Sequence, residues 1–177
     1  MKIIKYGDGA SSRPHESFVI KNGETIFIGG TVKLVAGAVE PADAVTDPIY
    51  GICVGFTGKD NTPYENLLPG QKGADTYTKG VSLAVGSDNE TAAMIRAKVV
   101  PLMPNDIVRG VADANLGTTT GSDKIGYYIN INTANESQFK ENTASASKEQ
   151  FLIVGIPGRD NPRAIDAKLV EGQIFGQ

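Results

Sequence analysis

The sequence predicts an all-β fold: a compact barrel or sandwich core with long loops and an extended N-terminal arm. Three observations lead there. Short apolar segments recur in which alternate residues face opposite sides, the period of a strand. Turn formers are dense, with 21 glycines and 9 prolines in 177 residues. Helical patterning is thin, confined to Asp43-Ala44-Val45, to residues 136–142 and to the Ala-rich start of residues 92–102.

Taken in order, the first strand is Phe18-Val19-Ile20. The Asn22-Gly23 pair that follows suits a tight hairpin turn at positive φ, leading into Thr25-Ile26-Phe27-Ile28. Gly29-Gly30 then opens Thr31-Val32-Lys33-Leu34-Val35, where Val32 and Leu34 share one face and Thr31, Lys33 and Val35 the other. Further strands are expected at 51–57, 75–85, 92–102, 107–112, 125–131, 150–156 and 164–170. In 92–102 the good helix formers of 92–98 run on into Val99-Val100-Pro101, and Asn89-Glu90 precede them like a turn, so strand is favoured. Irregularly spaced short strands of this kind belong to sandwiches and barrels. Residues 58–73, with Asp60-Asn61, Pro63 and Pro69-Gly70, and residues 132–148, polar except for Phe139, read as long loops. The chain thus divides into an arm at 1–17 and a single β domain at 18–177 with insertions near 58–73 and 132–148.

Composition narrows the function. Hydrophobic residues make up 40% of the chain, enough for a core built from Val, Ile, Leu and Ala because tryptophan is absent. No stretch approaches the roughly 20 apolar residues of a membrane-spanning helix, and the N-terminus lacks the apolar region of a signal peptide. The net charge of −3 is spread thinly, and lysines and arginines stand singly among acids, so no direct nucleic-acid partner is expected.

Candidate chemistry is sparse. The one histidine, His15, lies in a polar segment where a solvated arm residue is expected, and no Gly-x-Ser-x-Gly elbow is present. Cys53 sits in the apolar run Gly51-Ile52-Cys53-Val54-Gly55-Phe56, where it reads as core. Asp43, Asp47, Asp60, Asp88, Asp106, Asp123 and Asp160 fall in turns, as aspartate does through bonds to nearby backbone. One Cys and one His exclude an ordinary zinc site, and Asp60-Asn61 and Asp88-Asn89-Glu90 do not follow the alternating spacing of a calcium loop. No catalytic residue, metal or cofactor is expected.

Two internal echoes stand out. Val54-Gly55-Phe56-Thr57-Gly58-Lys59-Asp60-Asn61 is echoed by Val154-Gly155-Ile156-Pro157-Gly158-Arg159-Asp160-Asn161. Likewise Ile95-Arg96-Ala97-Lys98-Val99-Val100 is echoed by Ile165-Asp166-Ala167-Lys168-Leu169-Val170. They read as two equivalent strand–loop–strand corners of one β fold.

The stretches Ile20-Lys21-Asn22-Gly23-Glu24-Thr25-Ile26, Gly30-Thr31-Val32-Lys33-Leu34-Val35 and Asp47-Pro48-Ile49-Tyr50-Gly51-Ile52-Cys53-Val54-Gly55-Phe56 resemble small capsid decoration (cement) proteins of tailed bacteriophages. Asn105-Asp106-Ile107-Val108-Arg109-Gly110, Lys124-Ile125-Gly126-Tyr127-Tyr128-Ile129-Asn130-Ile131 and the closing strands are similar to the second half of that group, so the resemblance covers about two thirds of the chain. It implies a β-tulip-like core, often trimeric, seated on the outer capsid surface at contacts between major capsid proteins. It also implies synthesis in the host bacterial cytoplasm and no catalytic residues.

Within that reading the arm is the expected capsid contact, through Ile3, Ile4, Lys5, Tyr6 and Arg13. Ile3 to Tyr6 are β-prone and could add a strand to an exposed sheet edge of the capsid protein. An edge strand in the protein's own sheet is the equal alternative. Inter-subunit contacts are expected from the loop residues Lys59, Asp60, Asn61, Arg159, Asp160 and Asn161. A carbohydrate-binding β-module is the alternative from another class, with Tyr127-Tyr128 its sole adjacent aromatic pair. Head fibres and tail-tube subunits are other virion β proteins to which the same motifs apply.

Overall fold

The computed structural model describes residues 1–21, 24–58, 76–78, 95–114, 116, 124–145, 149–157 and 163–170. More than half of this is strand, with almost no helix: β1 (Lys2–Lys5), β2 (Glu16–Ile20), β3 (Thr25–Phe27), β4 (Thr31–Val35), β5 (Ala38–Pro41), β6 (Gly51–Gly58), β7 (Thr76–Thr78), β8 (Ile95–Pro101), β9 (Ile107–Ala112), β10 (Tyr128–Asn132), β11 (Asn135–Ser145), β12 (Phe151–Gly155) and β13 (Ala164–Leu169). The all-β class is as the sequence predicts.

Strands β2, β5, β4, β6 and β8 close into a barrel, with β2 and β5 parallel and the other pairs antiparallel. A second, six-stranded sheet runs β1-β9-β11-β10-β12-β13, and β13 pairs with β9 as well, so the pairings return on themselves. Strands β3 and β7 form a small ribbon. The barrel is filled by Ile20, Val32, Val39, Cys53, Ala97 and Val99. The second sheet encloses Val108, Ile129, Ile131, Ile153, Ile165, Leu169 and the edge-to-face pair Phe139–Phe151, whose ring centroids are 5.2 Å apart. Alternation on β6 joins the two cores: Cys53 faces the barrel interior, while Ile52, with Ala42, Ile49 and Leu102, packs into the core of the second sheet.

Local chemistry explains several elements that pattern alone misplaces. The Asn-Gly pair does not make a hairpin between β2 and β3. The Glu24 amide does donate to the Lys21 carbonyl at 3.2 Å, but β2 pairs with β5 and β8, while β3 pairs with β7. The hairpin that does form joins β4 to β5 through Ala36 (φ 50°) and Gly37 (φ 81°), with Val35 opposite Ala38. Residues 132–148, expected to be a loop with a turn of helix at 136–142, instead carry β11, which returns antiparallel to β10 after the two residues Thr133 and Ala134. Among its described side chains Phe139 lies in the core and Ala144 packs against it, and the segment is otherwise polar, so the signature of a strand is weak in sequence. Residues 92–102 form strand from Ile95, as expected, and the 75–85 segment contains β7. Asn22, Gly23, 59–73 and 146–148 lie outside the described residues.

The echoed segments occupy corresponding places in the two sheets. β6 and β12 each run antiparallel to their echo partner, β8 and β13, and each ladder slips at the same point, between Cys53 and Gly55 and between Ile153 and Gly155. A bulge re-aims the extra side chain, and Val54 (47%) and Val154 (38%) are accordingly exposed. The echo is one of form and not of register, since Gly55 faces Lys98 while Gly155 faces Asp166.

Candidate binding surface

The N-terminal 17 residues are not a free arm. β1 lies antiparallel to β9, pairing Lys2 with Arg109, Ile3 with Val108 and Lys5 with Ile107, with a bulge at Ile4. Ile3 packs against the core, while Ile4 and Lys5 are exposed. Tyr6 is half-buried beneath the Arg13 guanidinium, 4.8 Å from the ring centroid. Of the two placements open in the sequence for Ile3 to Tyr6, the chain's own edge strand is the one formed, because β9 offers an open edge and a core slot for Ile3.

Asp106, fully buried, fastens this segment. Its carboxylate accepts from the backbone amides of Gly7 and Met103, each at 2.8 Å, from Arg13 Nη2 at 3.0 Å and from Arg13 Nη1. The Asp106 carboxylate raises the Arg13 pKa, against the cost of burial. Arg13 Nη1 also donates to the Pro101 carbonyl at 3.3 Å, and Nε to the exposed Asp8 at 3.3 Å. The arm passes so close to the 104–105 turn that a Cβ on Gly7 would sit 2.4 Å from the Pro104 carbonyl oxygen, hence glycine there. The Met1 amino group donates to the Gly29 carbonyl, tying β1 to the segment entering β4. One strand and its lead thereby clasp barrel and sheet together.

A second polar cluster pins the turn at 43–47. Lys33 lies 2.8 Å from Asp47, 3.3 Å from Glu40 and 3.5 Å from Asp43, and Lys21 also pairs with Glu40. Burial works against the charged forms of buried Glu40 and of the partly buried Lys33 and Asp47. The hydrogen bonds between them prevail, so Lys33 is raised while Glu40 and Asp47 are lowered. Gln150 joins the same turn to the second sheet, donating to the Ala44 carbonyl at 3.2 Å and accepting from the Ile131 amide at 3.1 Å.

Reactive side chains are placed as structure. Burial pushes the Cys53 thiol up to about 12, against a weak opposing bond to the Gly55 carbonyl. Burial also pushes Tyr50 up to about 12, helped by Glu16, which accepts its hydroxyl proton at 2.6 Å. His15 is exposed. Among the described residues no three His, Cys, Asp or Glu side chains converge as a metal-binding group, and none of their helices is long and apolar enough to cross a membrane.

Of the residues the sequence nominated for contact, Ile4 and Lys5 are solvent-facing, Ile3 is turned inward, and Arg13 is committed to Asp106. Lys59, Asp60, Asn61, Arg159, Asp160 and Asn161 lie outside the described residues. Sequence reasoning missed Asp106, which it placed among ordinary turn aspartates. It also missed Arg109 and Lys168, whose outward placement was available from period two on 107–112 and 164–170, and Lys2, which only the β1–β9 register sets beside Arg109. No protein-family model matches the chain, no curated protein is significantly similar to it, and no solved structure matches its fold.

Proposed function

We propose that this is a structural virion protein that binds the outer surface of a tailed-phage capsid and stabilises contacts between neighbouring major capsid proteins. The observation that carries the reading is the clasp: β1 ties a closed barrel to a second β sheet, and among the described residues it pairs on one side only. A body tied in this way suits a staple between subunits, and an open strand edge invites addition of a partner's strand. Attachment then uses the outer side of β1 from within the folded body. Apolar side chains exposed at the bulges, Ile4, Val54 and Val154, supply further contact area. The resemblance in the apolar strands supports the same reading, with homotrimers on the lattice and many weak contacts engaged together.

The test is to mix purified protein with undecorated heads and image them by cryo-electron microscopy. Regular extra density on the outside at subunit junctions is expected. Bare heads at saturating protein, with binding on a glycan array instead, would overturn the proposal in favour of a carbohydrate-binding module. Light scattering at low and high concentration is expected to find trimers.

A further inference from the structure

The outer face of the second sheet has a composition unlike the chain as a whole. Cross-strand partners lie on the same side of a sheet, and the registers place Lys5, Ile107 and Lys168 side by side on β1, β9 and β13, the row then passing through Leu152 and Tyr128 round the closed ring of strands. The neighbours of Ile107 and Lys168 along their strands point into the core and Lys5 is exposed, so these three face outward together. At the strand spacing of about 4.8 Å they span roughly 10 Å. A second row sets Lys2 beside Arg109 and Arg109 beside Asp166. Arg109 is held by Asp166, at 2.7 and 2.9 Å. Among the described residues no carboxylate pairs with Lys2, Lys5 or Lys168. The two rows therefore hold four cations against one anion, in a chain whose net charge is −3.

We infer that this face is the seat of the protein on its partner, and that the partner surface it meets is an acidic protein surface with apolar relief. This rests on the decoration reading above and adds which face is used and the chemistry it meets. Three unpaired ammonium groups around Ile107 match an interface in which apolar contact supplies area and complementary charge sets orientation and encounter rate. A second copy of the same face does not fit, because like charges would oppose one another. A nucleic acid fits less well, because Ile107 stands between the cations of β1 and β13 and none of Lys2, Lys5, Ile107, Arg109 and Lys168 offers a ring for stacking.

The experiment is co-sedimentation with undecorated heads over a salt series, comparing wild type, Lys5→Glu/Lys168→Glu, the milder Lys5→Ala/Lys168→Ala, and Lys98→Glu. Lys98 lies on the barrel strand β8, and its single reversal changes the net charge by as much as the alanine pair does, so it serves as a control for charge away from the face. Variants are compared only where melting matches wild type; the alanine pair serves if the glutamate pair is unstable. Charge reversal is expected to weaken binding about tenfold or more at low salt and to flatten its salt dependence, with the alanine pair intermediate and Lys98→Glu unchanged. If wild type binds and both double variants bind equally well with the same salt slope, the inference is overturned while the decoration reading stands. If wild type binds no heads, the decoration reading itself fails. Salt-sensitive binding to duplex DNA that is lost in the double variant, or a change of oligomeric state in that variant, would assign the face to a different occupant and overturn the inference.

Discussion

Replacing Asp106 with alanine tests whether one buried carboxylate holds the N-terminal segment in place. Four hydrogen bonds end on it, two from backbone amides and two from a guanidinium whose side chain is only 8% exposed. Breaking a buried ion pair from one side costs about 3–5 kcal/mol. Stranding the Gly7 and Met103 amides costs about 1–3 kcal/mol each where they stay dry. The two costs overlap, because the arm can lift and let water reach the freed groups, so the expected loss is about 3–5 kcal/mol. Urea unfolding at neutral pH measures it, and hydrogen exchange locates it: the amides of β1 and of Tyr6 to Gly9 are expected to lose protection first. Arg13→Met leaves the carboxylate its two backbone donors and is expected to cost less. The double variant Arg13→Met/Asp106→Leu is expected to recover part of the loss, since an apolar pair of similar volume can replace a buried ion pair. Stability within about 1 kcal/mol of wild type, with β1 protection unchanged, would refute the reasoning.

Three further outcomes follow from the same structure. Lys33→Met is expected to destabilise the barrel most between about pH 5 and pH 10. Below that window Glu40 and Asp47 protonate, and since their folded pKa values are lowered, the stability they contribute is lost as pH falls through those values. Above it the contribution of Lys33 fades as pH rises from its ordinary 10.5 through its raised folded value, so melting curves of variant and wild type are expected to converge toward both extremes. Cys53 is expected to resist thiol reagents at pH 8 and to label at the rate of global opening, while its contribution to stability, present below its ordinary 9.0, fades as pH rises toward about 12; fast labelling of the native protein would contradict its burial. Gly51→Ala places a Cβ 2.4 Å from the Val100 carbonyl oxygen, a backbone atom that cannot swing aside, so a loss of about 1–3 kcal/mol is expected by thermal melting.

Much of the fold was legible because half-buried strands write their period into sequence. Ile107 to Ala112 alternate cleanly between buried and outward positions, and both this segment and Thr31 to Val35 form strands with the expected bounds. What was illegible lay where the physics is not local. The turn at Ala36-Gly37 carries no Asn-Gly signal, and alanine at positive φ is held there by the β4–β5 ladder. The Asn-Gly signal predicts a hairpin, but which strands pair is decided beyond the local sequence: β2 pairs with β5 and β8, and β3 with β7. β11 is polar along most of its length and hides between Thr133-Ala134 and the 146–148 segment. Asp106 reads like any turn aspartate, and its importance depends on Arg13, 93 residues away. The candidate face was half legible: alternation marks Arg109 and Lys168 as outward, but only the register sets them beside Lys2 and Lys5.

The clasp and the basic face share one strand, and this couples stability to binding. β1 supplies Lys2 and Lys5 to the face, and it keeps its place on β9 through Ile3 in the core and Asp106 at its exit. Deleting residues 1–8 therefore removes two of the four cations, the Ile3 contact and the Gly7 amide bond in one step. Melting is expected to fall sharply, and binding to heads is expected to fall with it. A solvated arm that merely reached out to the shell would behave differently, losing binding at an unchanged melting temperature. Lys5→Glu/Lys168→Glu removes the charge while leaving every clasp contact in place, and Asp106→Ala loosens the clasp while leaving every cation in the chain. If binding tracks the face, the first variant fails on heads at full stability. The second is expected to bind weakly only at temperatures where β1 has lost protection. Weak binding by the second variant while β1 stays protected would mean that Asp106 acts on the partner by some route other than holding β1 in place.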